Sequence, residues 1–169
     1  LRRYDQVIAI SQHISDAAVS SGVSPRSIRR IYSGVELPRG ERAGRQGSHA
    51  GFLHGLQIER GQLVVTCVGR LSPEKGQAIL LRAFATLRRS GVDGRLVIVG
   101  DGPQRSFLER EASRLGLAGD VRFLGKCLDI AEVMRATDIL VVPSLREGLS
   151  LATLEGLGCL LYTSDAADE

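Results

Sequence analysis

LVVTCVGRLSPEKGQAILLRAFATLRRSG, Leu63 to Gly91, is the stretch from which the rest of the chain can be read. Its first six residues, Leu63 to Val68, have the length and β-branching of a strand. A loop with glycine and proline follows. From Gln77 to Ser90 the residues Leu80, Phe84 and Leu87 recur at helical spacing, and Gly91 closes the segment as a C-cap glycine does. The alternation continues downstream. Leu96 to Val99 reads as a second strand, and Phe107, Leu108, Ala112 and Leu115 as a helical stripe ended by Gly116. Val121 to Leu124 makes a third strand, Ile130 to Ala136 a short helix and Ile139 to Val142 a fourth strand. Strands that alternate with amphipathic helices require crossover connections. The expected fold class is therefore α/β, a parallel sheet with helices on both faces.

Upstream the pattern is less regular. Val7 to Ile10 is a short apolar run, an alanine-rich segment after Ser15 and Asp16 ends at Gly22, and Ile28 to Tyr32 alternates like a strand. Glycine, arginine and polar residues dominate from Pro38 to about Gln62, with Phe52, Leu53 and Leu56 marking one short helix. This division predicts the remnant of a separate domain at 1–37, a linker at 38–61 and the main domain at 62–158. At Cys159 the text changes to CLLYTSDAADE, which abandons the preceding pattern and reads as an acidic, structureless tail. One back-translation of it reads like a transposase-type sequencing adapter, so 159–169 is expected to be translated adapter. Because the chain starts at Leu1 without an initiator methionine, it is expected to be cut at both ends.

Composition excludes several classes. With 43% hydrophobic and 24% charged residues the chain is globular rather than disordered. A net charge of +3 would attract phosphates weakly, but scattered arginines and only 4% aromatic residues give no stacking platform for nucleic acid. Cys67, Cys127 and Cys159 lack metal-ligand spacing, as do His13, His49 and His54, which read as surface residues. Free thiols in apolar runs imply a reducing, cytoplasmic compartment. No apolar run approaches the roughly 20 residues needed to span a bilayer.

In parallel α/β sheets ligands collect beyond the carboxyl ends of the strands. The residues there are Gly69 and Arg70, Gly100 to Gly102, Gly125 and Lys126, and Pro143 through Gly148. In GRLSPEKG, Ser72 reads as an N-cap and Pro73 as the first helical residue, which puts Lys75 at the third position, where the helix dipole disfavours a cation. An anion held between Arg70, Lys75 and the helix amides would repair that conflict. A solvated Lys75 paired with Glu74, or with nothing, is the alternative. In VGDGP the glycines Gly100 and Gly102 let backbone come close to a ligand, but Arg105 stands where a dinucleotide fingerprint needs a third glycine. EGLSLATLE, Glu147 to Glu155, reads as a loop entering a helix near Ser150, with free amides at Gly148, Leu149, Ser150 and Leu151 facing the same crevice. Carboxylates beside an anion site suit a polyhydroxylated ligand that also carries phosphate, such as a sugar nucleotide. The competing reading makes Glu155 a helix N-terminal acid and pairs Glu147 with Arg146 at the surface.

Taken in order, GRLSPEKG, VGDGP and PSLREGLSLATLE resemble the retaining GT-B glycosyltransferases, family 4-like, which are built of two Rossmann-like domains. VIAISQHISDAAVSSGVSPRSIRRIYSGVEL is similar to the end of that family's acceptor-side domain, although Ser33 and Glu36 stand where the family usually has Asn and Asp. The resemblance implies the nucleotide-sugar (donor) domain of a hexosyltransferase, truncated and inactive alone. It implies that Arg70 and Lys75 bind the donor diphosphate, Glu147 the hydroxyls of the transferred sugar and Glu155 those of the ribose. Gly69, Gly100, Gly102, Gly148, Leu149, Ser150 and Leu151 would line the sugar and phosphate, and Gly125, Lys126 and Cys127 the base. No metal or other cofactor is implied, because two cations neutralise the leaving diphosphate. The implied partners are a nucleotide-diphosphate sugar and a glycan, lipid or small-molecule acceptor. Location would be cytoplasmic, including peripheral attachment at the membrane face through the acceptor-side domain. Two other classes stand beside this: a glycoside hydrolase using Glu147 and Glu155 as acid and base, and a non-catalytic nucleotide-binding module.

Overall fold

The computed structural model describes residues 5–35, 54–59, 61–127, 129–147, 149–159 and 162–165. At the amino end, β1 (Val7–Ala9), α1 (Gln12–Ser20) and β2 (Ile28–Arg30) form a small βαβ unit whose strands pair in parallel, Val7 opposite Ile28. The Ser11 hydroxyl caps α1 by accepting from the Ile14 amide at 3.2 Å. Gly22, in left-handed conformation, follows the helix where the sequence puts a stop.

The main sheet holds β3 (Leu63–Val68), β4 (Gly94–Val99), β5 (Val121–Gly125), β6 (Ile139–Val142) and β7 (Tyr162–Asp165). Between them run α2 (Gln77–Arg89), α3 (Arg105–Arg114), α4 (Ile130–Ala136) and α5 (Leu151–Gly158). Strand order is β5-β4-β3-β6-β7, with every pair of neighbours parallel. The order reverses between β3 and β6. A crevice at their carboxyl ends is the topological switch point where such sheets bind ligands.

Both faces of the sheet are covered, as continuous apolar strands require. On one face Val65, Cys67, Leu96 and Ile98 pack against Leu80, Leu81, Phe84 and Ala85 of α2 and Leu108 and Ala112 of α3. On the other, Val64, Val97 and Val99 meet Val133 and Ile58, while Met134, Leu140, Val142 and Cys159 form a third cluster. Each fully buried Leu or Phe contributes about 1.5–3 kcal/mol. At the amino ends of the strands, Asp120 accepts from Arg88 Nε at 3.0 Å and from Arg95 Nη1 at 3.1 Å, which ties α2 and β4 together at the edge away from the crevice.

Two stretches differ from the sequence reading. Part of the segment read as linker packs on this sheet: Ile58 is buried in the second cluster, and Arg122 of β5 donates to the Leu56 carbonyl at 3.0 Å and to Gln57 Oε1 at 2.8 Å. Phe52 and Leu53 lie outside the described residues. Nor is the tail structureless throughout: Tyr162–Asp165 pairs with β6 from Ile139–Tyr162 to Val142–Asp165. Parallel pairing at a sheet edge uses backbone groups of any sequence, which hydropathy patterning does not reveal.

Candidate functional site

Four loops meet at the carboxyl end of the sheet, and backbone contacts hold them in place. The Gly69 amide donates to the Val99 carbonyl at 2.9 Å, Leu71 to Asp101 at 3.1 Å, Gln104 to Leu71 at 3.0 Å and Gly100 to Gly125 at 2.8 Å. A Cβ on Gly100 would collide with the Gly69 carbonyl, and one on Gly102 with the Leu71 backbone. The close approach these glycines permit is, within the chain, that of the Gly69 to Leu71 backbone.

GRLSPEKG also folds differently from the expected helix start. Pro73–Lys75 forms one 3-10 turn, and Gly76, at φ 67°, separates it from α2. The Ser72 hydroxyl donates to Glu74 Oε1 at 2.6 Å instead of capping an amide. Lys75 therefore does not sit in the first turn of an α-helix, and the dipole conflict assigned to it does not arise. The break exists because Gly76 lies against Pro143, whose carbonyl oxygen occupies the space a Cβ would need.

That contact is one of three ties between the β3 and β6 loops. The Leu145 amide donates to the Glu74 carbonyl at 2.8 Å. Lys75 Nζ donates to both oxygens of Glu147, at 2.7 Å each, with the two side chains 26% and 17% exposed. Neither expected partner of Lys75 was correct, nor was the pairing of Glu147 with Arg146.

Arg70 is exposed on the same loop; among the described residues its guanidinium makes no hydrogen bond, and its charge acts through space on the Glu74 carboxylate. The Arg70 carbonyl accepts from Gln77 Nε2 at 2.9 Å. Gln77 is 2% exposed and is absent from the candidate residues that the motifs supply. The signal was present: Gln77 is a polar residue on the stripe of Leu80, Leu81 and Phe84.

Ser150 caps α5, accepting from the Thr153 amide at 3.2 Å, so the helix starts where the sequence placed it. The first-turn amides that follow have no intrahelical acceptor. Leu149 is half-buried, Leu151 is exposed, and Gly148 lies outside the described residues. Glu155 is the fifth residue of α5, past the first turn, which removes its reading as an N-terminal dipole acid. Burial raises its carboxyl above the ordinary range. Among the described residues, no hydrogen bond joins it to Arg70, Lys75 or Glu147. Gly125 ends β5 at φ 70° and Lys126 is exposed. The Cys127 thiol contacts the Asp129 carbonyl at 3.5 Å and packs against the second cluster, so its side chain is held by the protein. His13 and His54 are exposed, and His49 is outside the described residues.

The fold is an α/β, Rossmann-like domain that brings a cation–carboxylate pair to the switch point of its parallel sheet, beside a capped helix start. Residues 54–162 match the family model described as Glycosyl transferases group 1, and the chain belongs to that family. It is 34% identical over 148 residues to a D-inositol 3-phosphate glycosyltransferase of Rhodococcus erythropolis, covering 82% of this chain and 32% of that protein. It is 31% identical over 160 residues to the 2-deoxystreptamine glucosyltransferase of Streptomyces kanamyceticus, covering 93% and 41%. Among solved structures, HepE of Anabaena in complex with UDP-glucose superposes with a TM-score of 0.83 at 27% identity, over 97% of this chain and 45% of that one. The chain thus spans less than half the length of these relatives. Family and Rossmann-like fold agree with the resemblance carried by the three motifs. Among the described residues no helix is long and apolar enough to cross a membrane.

Proposed function

We propose that this chain is the donor-binding part of a retaining glycosyltransferase that moves a hexosyl group from a nucleotide-diphosphate sugar to a glycan, lipid or small-molecule acceptor. The observation that carries the reading is the Lys75–Glu147 pair, which places an ammonium and a carboxylate together at the crevice between β3 and β6. Arg70 and Lys75 hold the diphosphate, and their charge stabilises it as it leaves, so the chemistry needs no metal ion. Glu147 accepts from sugar hydroxyls, Glu155 from the ribose, and the amides around Leu149 to Leu151 receive sugar and phosphate oxygens. The backbone at Gly125 to Cys127 borders the base. In support, the relative HepE has been solved in complex with UDP and with UDP-glucose. Transfer requires an acceptor-side domain, so the chain alone is expected to bind donor without turnover.

Isothermal titration of the chain with UDP, GDP and ADP tests this. At least one should bind, and Arg70→Ala should weaken it by roughly 10-fold or more, the scale of a lost charge-assisted contact. Absence of binding by all three, or binding indifferent to Arg70→Ala, would overturn the reading.

A further inference from the structure

Gln77 is a buried polar residue on an apolar helix face. It opens α2 on the face that buries Leu80, Leu81 and Phe84, and it is itself 2% exposed. A leucine or methionine there would add apolar burial and would hide no amide, whose burial is costly unless hydrogen-bonded. The Gln77 side chain reaches back across the 3-10 turn, and its Nε2 donates to the Arg70 carbonyl at 2.9 Å. That bond fixes the peptide leaving Arg70. On one side of it Gly69 is tied to Val99, and on the other Leu71 is tied to Asp101 and is fully buried. Backbone on both sides of Arg70 is thus anchored while its guanidinium stands exposed and makes no hydrogen bond among the described residues. A long side chain loses rotamer freedom when it binds, so fixing its Cα beforehand lowers the cost of that step.

Resting on the donor-site reading above, we infer that Gln77 is a positioning residue for the diphosphate: it holds the Arg70 backbone so that the exposed guanidinium is presented to the anion before the ligand arrives. Gln77 touches no ligand and acts only through Arg70. Two consequences separate this from a role in folding. Removing the amide weakens binding without lowering stability in proportion, and the effect vanishes when the arginine is gone.

The experiment is a double-mutant cycle on the whole chain, using whichever of UDP, GDP and ADP binds most tightly as the probe, with thermal melts in parallel. Gln77→Met keeps the volume and cannot donate. It is expected to raise Kd about 5- to 10-fold in the Arg70 background and by less than about twofold in the Arg70→Ala background. Gln77→Glu supplies a pH readout, because a buried carboxyl donates only when protonated. Its Kd relative to wild type should recover toward one as pH falls from 8 to 5. If Gln77→Met leaves Kd unchanged, or raises it equally in both backgrounds, the positioning role is wrong while the donor site stands. If none of the three nucleotides binds the wild-type chain, the site reading fails and takes this inference with it.

Discussion

Replacing Glu147 by glutamine should move stability and nucleotide affinity in opposite directions. In the free chain Lys75 gives Glu147 two contacts of 2.7 Å, with both side chains mostly shielded. Unit charges about 4 Å apart interact by roughly 4 kcal/mol at an effective dielectric of about 20. Desolvation offsets much of that, and the remaining exposure of the two side chains adds screening. Exposed pairs are worth about 0–1 kcal/mol, while breaking fully buried ones costs about 3–5. An intermediate figure of about 1–2 kcal/mol follows, or a fall in Tm of roughly 3–6 °C for a chain of this size. Binding responds differently, because Glu147 is a negative charge beside the place proposed for a diphosphate. Neutralising a charge about 6 Å from a phosphate, at an effective dielectric of about 40, is worth about 1.4 kcal/mol, a tenfold tighter Kd. That gain applies to the free nucleoside diphosphate. For the sugar nucleotide it is cancelled by loss of the carboxylate that accepts from the hydroxyls. Calorimetry with a nucleoside diphosphate and its glucose conjugate, alongside thermal melts, measures all three quantities. Should Glu147→Gln weaken the free diphosphate as much as Lys75→Ala does, the pair does not compete with the ligand and the reasoning is refuted.

Three further outcomes follow from the same geometry. Because burial raises the Glu155 carboxyl, the folded state keeps its proton to higher pH than the unfolded chain, so stability falls as pH rises from the ordinary carboxylate range to the raised value. Glu155→Gln should therefore raise Tm at pH 7, leave it nearly unchanged at pH 4 and weaken nucleotide binding; an equal shift at both pH values would contradict this. Gly76→Ala demands a left-handed conformation and a Cβ where Pro143 has its carbonyl, and should cost at least about 2 kcal/mol in urea unfolding. Cys67, pushed up to about 12 by burial, should resist iodoacetamide at pH 8 while the half-buried Cys127 reacts, as peptide mapping would show; rapid Cys67 labelling would mean that β3 opens.

The sheet and its helices were legible because their signals are local. Leu63 to Val68, Ile130 to Ala136 and Ile139 to Val142 occupy the positions their patterns imply, and Gly91 and Gly116 follow the ends of α2 and α3. Relations between loops were not legible. Lys75 and Glu147 are 72 residues apart, and nothing in GRLSPEKG says that its lysine neutralises an acid beyond β6. The helix that starts at Ser72 and Pro73 stops after one 3-10 turn because Gly76, which reads like any loop glycine, answers to Pro143 in another loop. Gly100 and Gly102 were identified as close-approach residues, but their partner, the Gly69 to Leu71 backbone, depends on β3 and β4 being neighbours with their ends level.

These contacts give the two cations different starting states, and on the proposed function that difference sets an order of events. Arg70 is exposed and makes no hydrogen bond or salt bridge among the described residues, only a through-space attraction to Glu74, whereas Lys75 is already neutralised. An incoming diphosphate meets Arg70 at little cost, because no existing pair has to break. It gains Lys75 only if Glu147 finds other donors, and the hydroxyls of a sugar are such donors. A nucleotide without its sugar has nothing to offer Glu147 and keeps competing with it for the ammonium. The second cation thereby distinguishes donor from spent nucleotide by a difference in interaction energy between two states of one pair, the only way a static pocket can favour one of two ligands that share the same phosphates.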